Sequence, residues 1–163
     1  AYADAQACSS IAAAWNAAGA GDIIFVKAGT YGAQAITGSK AAETRVVGEN
    51  GVTIGDIDSN ASFFTLENMA ASGWSSRTAG VHDITFRDVS ISGNNGVFLD
   101  AESARDIKWI GGSLRDFSCT NCPAAMAVYA GETVGGTVMS TNILIDGVTF
   151  DNIRNTGGTG NHF

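Results

Sequence analysis

The segment Ser62 to Gly73 aligns without a gap on His82 to Gly93, twenty positions later, and this self-similarity constrains the fold more than any other feature. A unit repeating at this period belongs to a solenoid, because one coil cannot bury its apolar face alone and must stack on a neighbour of the same pattern. Arg105 to Asp116 and Thr141 to Asn152 fit the same template. Within it the apolar positions alternate twice, pause for two residues and alternate again, which reads as a short strand, a tight corner and a second short strand.

The inward columns are then Phe64, Ile84, Ile107 and Ile143; Leu66, Phe86, Trp109 and Ile145; Met69, Val89, Gly112 and Val148; and Ala71, Ile91, Leu114 and Phe150. An earlier coil contributes Val46, Val47, Val52 and Ile54, with one extra residue at its corner. The first column recurs at intervals of 20, 23 and 36 residues. The last interval carries an insertion, from about Ser118 to Ser140, expected to leave the helix as a long loop of the kind that hosts function on rigid scaffolds.

The 163 residues have room for a single domain, and 21 glycines against the single Pro123, with only 15% charged residues, favour many turns between short strands. The expected class is all-β, a parallel β-helix occupying 22–163, with a capping α-helix over 4–20. That helix follows from the spacing of Cys8, Ile11, Ala12 and Trp15, with Asp4 as N-cap and Gly19 closing its C-terminus. Its role is to cover the open first coil. No such cap follows Val148 to Phe150, so the natural chain is expected to continue past Phe163, or self-association or a partner chain to cover that end.

A net charge of −7 with no basic run repels phosphate backbones, so nucleic acid is not an expected partner. No apolar run approaches the roughly 20 residues of a membrane helix, and no membrane insertion is expected. The N-terminus lacks the regions of a signal peptide, so export either was not needed or followed removal of a leader. Three cysteines, Cys8, Cys119 and Cys122, leave one thiol unpaired. The Cys119/Cys122 spacing is open to a loop disulfide, free thiols, half a zinc site or a redox pair.

The segment Gly21-Asp22-Ile23-Ile24-Phe25-Val26-Lys27-Ala28-Gly29-Thr30-Tyr31, placed after a capping helix, resembles the opening of pectate-lyase-like right-handed β-helix proteins. Thr141 to Phe150 resembles a coil of the same superfamily, so the resemblance spans the chain from about Ile11. It implies a secreted or cell-surface protein with a long surface for a polysaccharide or cell-surface glycan, but no particular reaction, since members include lyases, hydrolases, epimerases, adhesins and phage tail spikes. The paired-aspartate and Gly-His-Gly motifs of polygalacturonases are missing, as is a Trp-Ile-Asp-His segment.

Equivalent positions on stacked coils lie about 4.8 Å apart. Glu67 with Arg87, and Arg115 with Asp151, therefore share outward columns and form either solvated ion pairs or substrate contacts. Asp83 and Asp106 occupy one column, where their repulsion is relieved either by turn-capping hydrogen bonds or by a shared cation. Asp56 and Asp58 invite the same two readings. The resemblance implies calcium as that cation, with Lys108, Arg87 or Arg115 abstracting a proton from an acidic sugar. Trp74, in a polar stretch beyond the template, and Tyr129, in the insertion, are candidate sugar platforms, whereas Trp109 falls in the core. His162 is a further catalytic candidate or a surface histidine. The expected function is a polysaccharide lyase or glycoside hydrolase, or a fragment of one. The alternative is a non-catalytic glycan-binding, adhesin or phage-tail-type structural domain.

Overall fold

A computed structural model describes residues 7–76, 78–92, 97–102, 104–120, 126–131 and 140–156. The elements run α1 (Ile11–Ala17), β1 (Ile23–Val26), β2 (Gly29–Tyr31), β3 (Gln34–Thr37), β4 (Thr44–Gly48), β5 (Val52–Asn60) and β6 (Phe64–Ser76). Then come β7 (His82–Ser92), β8 (Val97–Glu102), β9 (Arg105–Ile110), β10 (Ser113–Thr120), β11 (Met126–Gly131), β12 (Thr141–Asp146) and β13 (Thr149–Thr156).

Every strand pairing is parallel, and the strands form a β-solenoid of about four turns. A first ladder runs through β1, β4, the start of β6, β7, β9 and β12. A second runs through β2, β5, the middle of β6, the end of β7, β10 and β13. A third joins β3, the end of β5, the end of β6, β8 and β11.

The registers carry the expected inward columns. Phe64 pairs with Ile84, Ile84 with Ile107 and Ile107 with Ile143, while Leu66, Phe86, Trp109 and Ile145 stack beside them. Phe64, Leu66, Ile84, Phe86, Ile107 and Trp109 are all essentially without solvent contact, so each coil buries its apolar face on the next. The earlier coil differs from expectation at one position. Thr44, not Val47, joins Val46 inside, because Thr44 pairs with Phe64 and places Val47 opposite the outward Glu67.

The corners between ladders are built on left-handed backbone. Phe63, Asp83, Asp106 and Asn142 hold φ between 53° and 60° before the first ladder. Asn68, Asp88, Gly111 and Gly147 hold φ between 53° and 67° after it. Asn, Asp and Gly are the residues that tolerate this conformation, whereas Phe63 is an outlier held by an edge-to-face contact with His82 at 5.0 Å and by backbone hydrogen bonds to His82 and Thr44 on the neighbouring coils. Gly48 sits in the second corner column because a Cβ there would lie 2.6 Å from the Asn68 carbonyl oxygen.

The capping helix is shorter than expected. Ser10 accepts from the Ala13 amide as N-cap and Ala18 closes the helix; Cys8 precedes it as an exposed free thiol, and Asp4 lies outside the described residues. Trp15 nevertheless seals the first coil. It meets Phe64 edge-to-face at 5.3 Å, and its indole N–H donates to the Thr37 and Gly38 carbonyls.

The insertion is not simply a loop leaving the helix. β11 lies within it and pairs with β8, Val128 opposite Leu99, extending the third ladder by one strand. Cys122 and Pro123 lie outside the described residues, as does the side chain of Cys119.

Candidate functional site

The outer face of the first ladder carries Arg45, Arg87 and Lys108, three of the chain's nine cations. Strand alternation turns Arg45, Thr65, Thr85 and Lys108 outward in one column and Glu67 and Arg87 in the next. Arg45 grips Glu67 with two bonds, Nε to Oε1 at 2.9 Å and Nη2 to Oε2 at 2.6 Å. Arg87 approaches the same carboxylate from the following coil, Nε to Oε1 at 3.4 Å. Thr65 donates its hydroxyl to Glu43 at 2.7 Å, tying a second carboxylate to this face.

Glu67 is nearly buried between two half-exposed guanidiniums, its side chain 11% accessible against 39% for Arg45 and 47% for Arg87. The Arg45 hydrogen bonds hold the Glu67 carboxyl below the usual carboxylate range, outweighing its burial, and in return raise the Arg45 guanidinium. Arg45 and Arg87 share Glu67, and Glu43, held by Thr65 and close enough to act on Arg45, supplies a second negative charge, so any positive excess on this face comes from Lys108. One coil further on, the side chain of the exposed Lys108 has no hydrogen-bond or ion-pair partner among the described residues.

A second cluster lines the corner before this ladder. His82 Nδ1 lies 2.7 Å from Asp83 Oδ2. On the next coil Asp106 accepts from Arg105 at 2.7 Å and from the Asn142 amide at 2.6 Å. The Asn142 bond is the main cause that lowers the Asp106 carboxyl from its ordinary value. Each carboxylate therefore has its own donors, which offset the repulsion expected between them. Among the described residues no three or more histidine, cysteine, aspartate or glutamate side chains gather as a metal site. The pair supplies part of the roughly six to eight oxygens that calcium takes, the rest of which come from other side chains, carbonyls or water.

Several expected residues fall elsewhere. Trp74 is a core residue rather than a platform: it is 2% exposed and packs edge-to-face on Phe86 at 5.2 Å. The stretch around it is the end of β6, whose alternation continues into the third ladder. Arg115 and Asp151 are in register on the second ladder, away from Lys108 and Arg87, and Arg115 Nε donates to Ser113 rather than to Asp151. Asp58 pairs in register with Ser75 on the third ladder and Asp56 with Gly73. Tyr129 has its backbone on β11 opposite Asp100, its side chain outside the described atoms, and His162 is outside the described residues.

No protein-family model matches this chain, and no curated protein or solved structure matches it either. The fold and these clusters are therefore what a functional reading has to stand on. No helix among the described residues is long and apolar enough to cross a membrane. Sequence reasoning missed Arg45 and Glu43 because the offset from Arg45 to Glu67 is 22 residues, not the 20 separating Glu67 from Arg87. It missed the His82–Asp83 contact because neighbouring residues of a regular strand face opposite ways, and only the left-handed turn at Asp83 brings the two side chains together.

Proposed function

We propose that this protein is a carbohydrate-active β-helix, secreted or displayed at a cell surface, that holds an anionic polysaccharide along the outer face of its first ladder. The observation that carries this reading is the shared carboxylate of Glu67. It fixes the Arg45 and Arg87 guanidiniums on one face, beside Lys108, whose side chain has no partner among the described residues, on a chain whose net charge is −7. A rigid row of guanidiniums suits the carboxylates of an extended acidic glycan, because a planar fork already held in place loses little freedom on binding. The superfamily resemblance of Gly21 to Tyr31 supports a glycan over other polyanions, and the acidity of the remaining surface disfavours nucleic acid.

The test is binding of the whole chain to a panel of acidic and neutral polysaccharides. Acidic glycans should bind with an affinity that falls as salt rises, and Arg87→Gln together with Lys108→Gln should weaken it by about tenfold or more. Equal binding of neutral glycans, or none of any, removes the proposal.

A second reading, a polysaccharide lyase, is favoured by the exposed Lys108 side chain on the face that carries Arg87: Arg87 would hold a uronate carboxylate, Lys108 as its free amine would take the proton from the adjacent carbon, and the electron pair would form the ring double bond as the glycosidic oxygen leaves with a proton from water. Unsaturated products absorbing in the ultraviolet, lost in Lys108→Gln while binding is retained in part, would support it. The same assay with and without chelator reads any calcium dependence.

A further inference from the structure

We infer that the interior of the solenoid holds a built hydration site beneath the third ladder, in which ordered water joins Ser59, Ser76 and the indole of Trp74. Three polar atoms carry the inference: Ser59 Oγ, Ser76 Oγ and Trp74 Nε1 are buried and have no hydrogen-bond partner. The two serines are 0% exposed and Trp74 is 2% exposed, so bulk solvent does not serve them.

The register brings the three together. Ile57 pairs with Trp74 and Asp58 with Ser75, which sets Ser59 over Ser76 on adjacent rungs, both on the inward side shared with Ile57 and Trp74. Ser113 and Ser90, paired one rung apart on the second ladder, bond directly at 3.1 Å, whereas the Ser59 and Ser76 hydroxyls have no partner, and one water between them would serve both. Trp74 lies two residues before Ser76 on the same face, and its N–H can donate only, so its partner must be an acceptor. Water supplies that acceptor and donates to the serine oxygens in turn.

Room comes from the small neighbours of this column. The next rung places Ala101 opposite Ser76, and Ala61 and Ala104 at the adjoining corner are also fully buried. Apolar cavities stay dry, whereas a pocket offering two to four polar partners retains water. Leaving three such groups unbonded would cost the fold repeatedly, and native interiors rarely do so.

The experiment is a high-resolution crystal structure of the whole chain, read with thermal melts of single variants. Density for water within about 2.7–3.2 Å of at least two of the three atoms is the expected result. Ser59→Ala and Ser76→Ala should each lower Tm by about 2–6 °C, because each strands the water's other partners. Serine hydroxyls turned onto backbone carbonyls, or no ordered water between them, would overturn the inference. So would a Tm unchanged or raised in both variants, the signature of a buried hydroxyl that had nothing to bond.

Discussion

Asn142 donates its side-chain amide to the Asp106 carboxylate of the preceding coil at 2.6 Å, and both residues hold left-handed backbone, φ 56° and 57°. Asn152 repeats the relationship with Asp116 at 2.9 Å, and Asn68 reaches the Gly48 carbonyl at 2.8 Å. Corner residues thus bond along the stack as well as turning the chain.

The Asn142 amide is the largest influence holding the Asp106 carboxyl below its ordinary value. Asn142→Ala should move the Asp106 titration midpoint upward, toward the ordinary aspartate value, as followed by side-chain carboxyl NMR. In the parent protein this group contributes stability that is present above the unfolded-state value and lost as pH falls through the lower folded value. A midpoint that does not move would assign the effect to Arg105 instead.

Glu67 makes the corresponding case on the first ladder. Its folded pKa is depressed, so its contribution is present above about pH 4.3 and disappears as acid carries the pH through the folded value. Glu67→Gln should cost about 1–2 kcal/mol near neutrality, discounted because both arginines are more than one-third exposed. The gap between the two proteins in denaturant melts should close on acidification.

Gly112 and Gly147 both hold positive φ, yet they should respond oppositely to a side chain. A Cβ on Gly112 would lie 2.0 Å from the Val89 carbonyl oxygen, whereas one on Gly147 meets nothing nearer than 3.8 Å. Gly112→Ala should therefore cost about 3 kcal/mol or more, from left-handed strain and overpacking together. Gly147→Asn should stay within about 1 kcal/mol of the parent, since asparagine accepts this conformation elsewhere in the same corner column.

Trp74→Ala should cost about 3–5 kcal/mol, as for other buried aromatic truncations, because the ring fills the core against Phe86. Any change in glycan affinity should track the unfolded fraction. A stable Trp74→Ala protein with lost glycan binding would instead return the residue to the surface.

The two ladders with a clean apolar alternation were legible in the sequence, because Phe64, Ile84, Ile107 and Ile143 each open the same pattern of alternating apolar positions. The third was not. Its inward positions mix Ile57 and Trp74 with Ser59, Ser76 and Ala101, and small or polar residues in an interior column erase the contrast that periodicity depends on. Trp74 was misplaced for that reason, since Ser72, Ser75 and Ser76 made its surroundings look solvated. The corner code was read only in part: Asp83 and Asp106 fell into one turn column, while Phe63 and Asn142, which recur at the same intervals as the apolar columns, were not joined to it. Of the candidate site, Glu67 and Arg87 followed from the repeat, while Arg45 depended on a coil of different length.

Corners that fix the chain's direction at set points leave the connecting stretches free to differ, and the intervals between equivalent positions do run from 20 to 36 residues. Such an architecture can acquire new segments at its perimeter without renegotiating its interior. Variants carrying lengthened connections between intact corners should keep the spacing of the arginines on the neighbouring face.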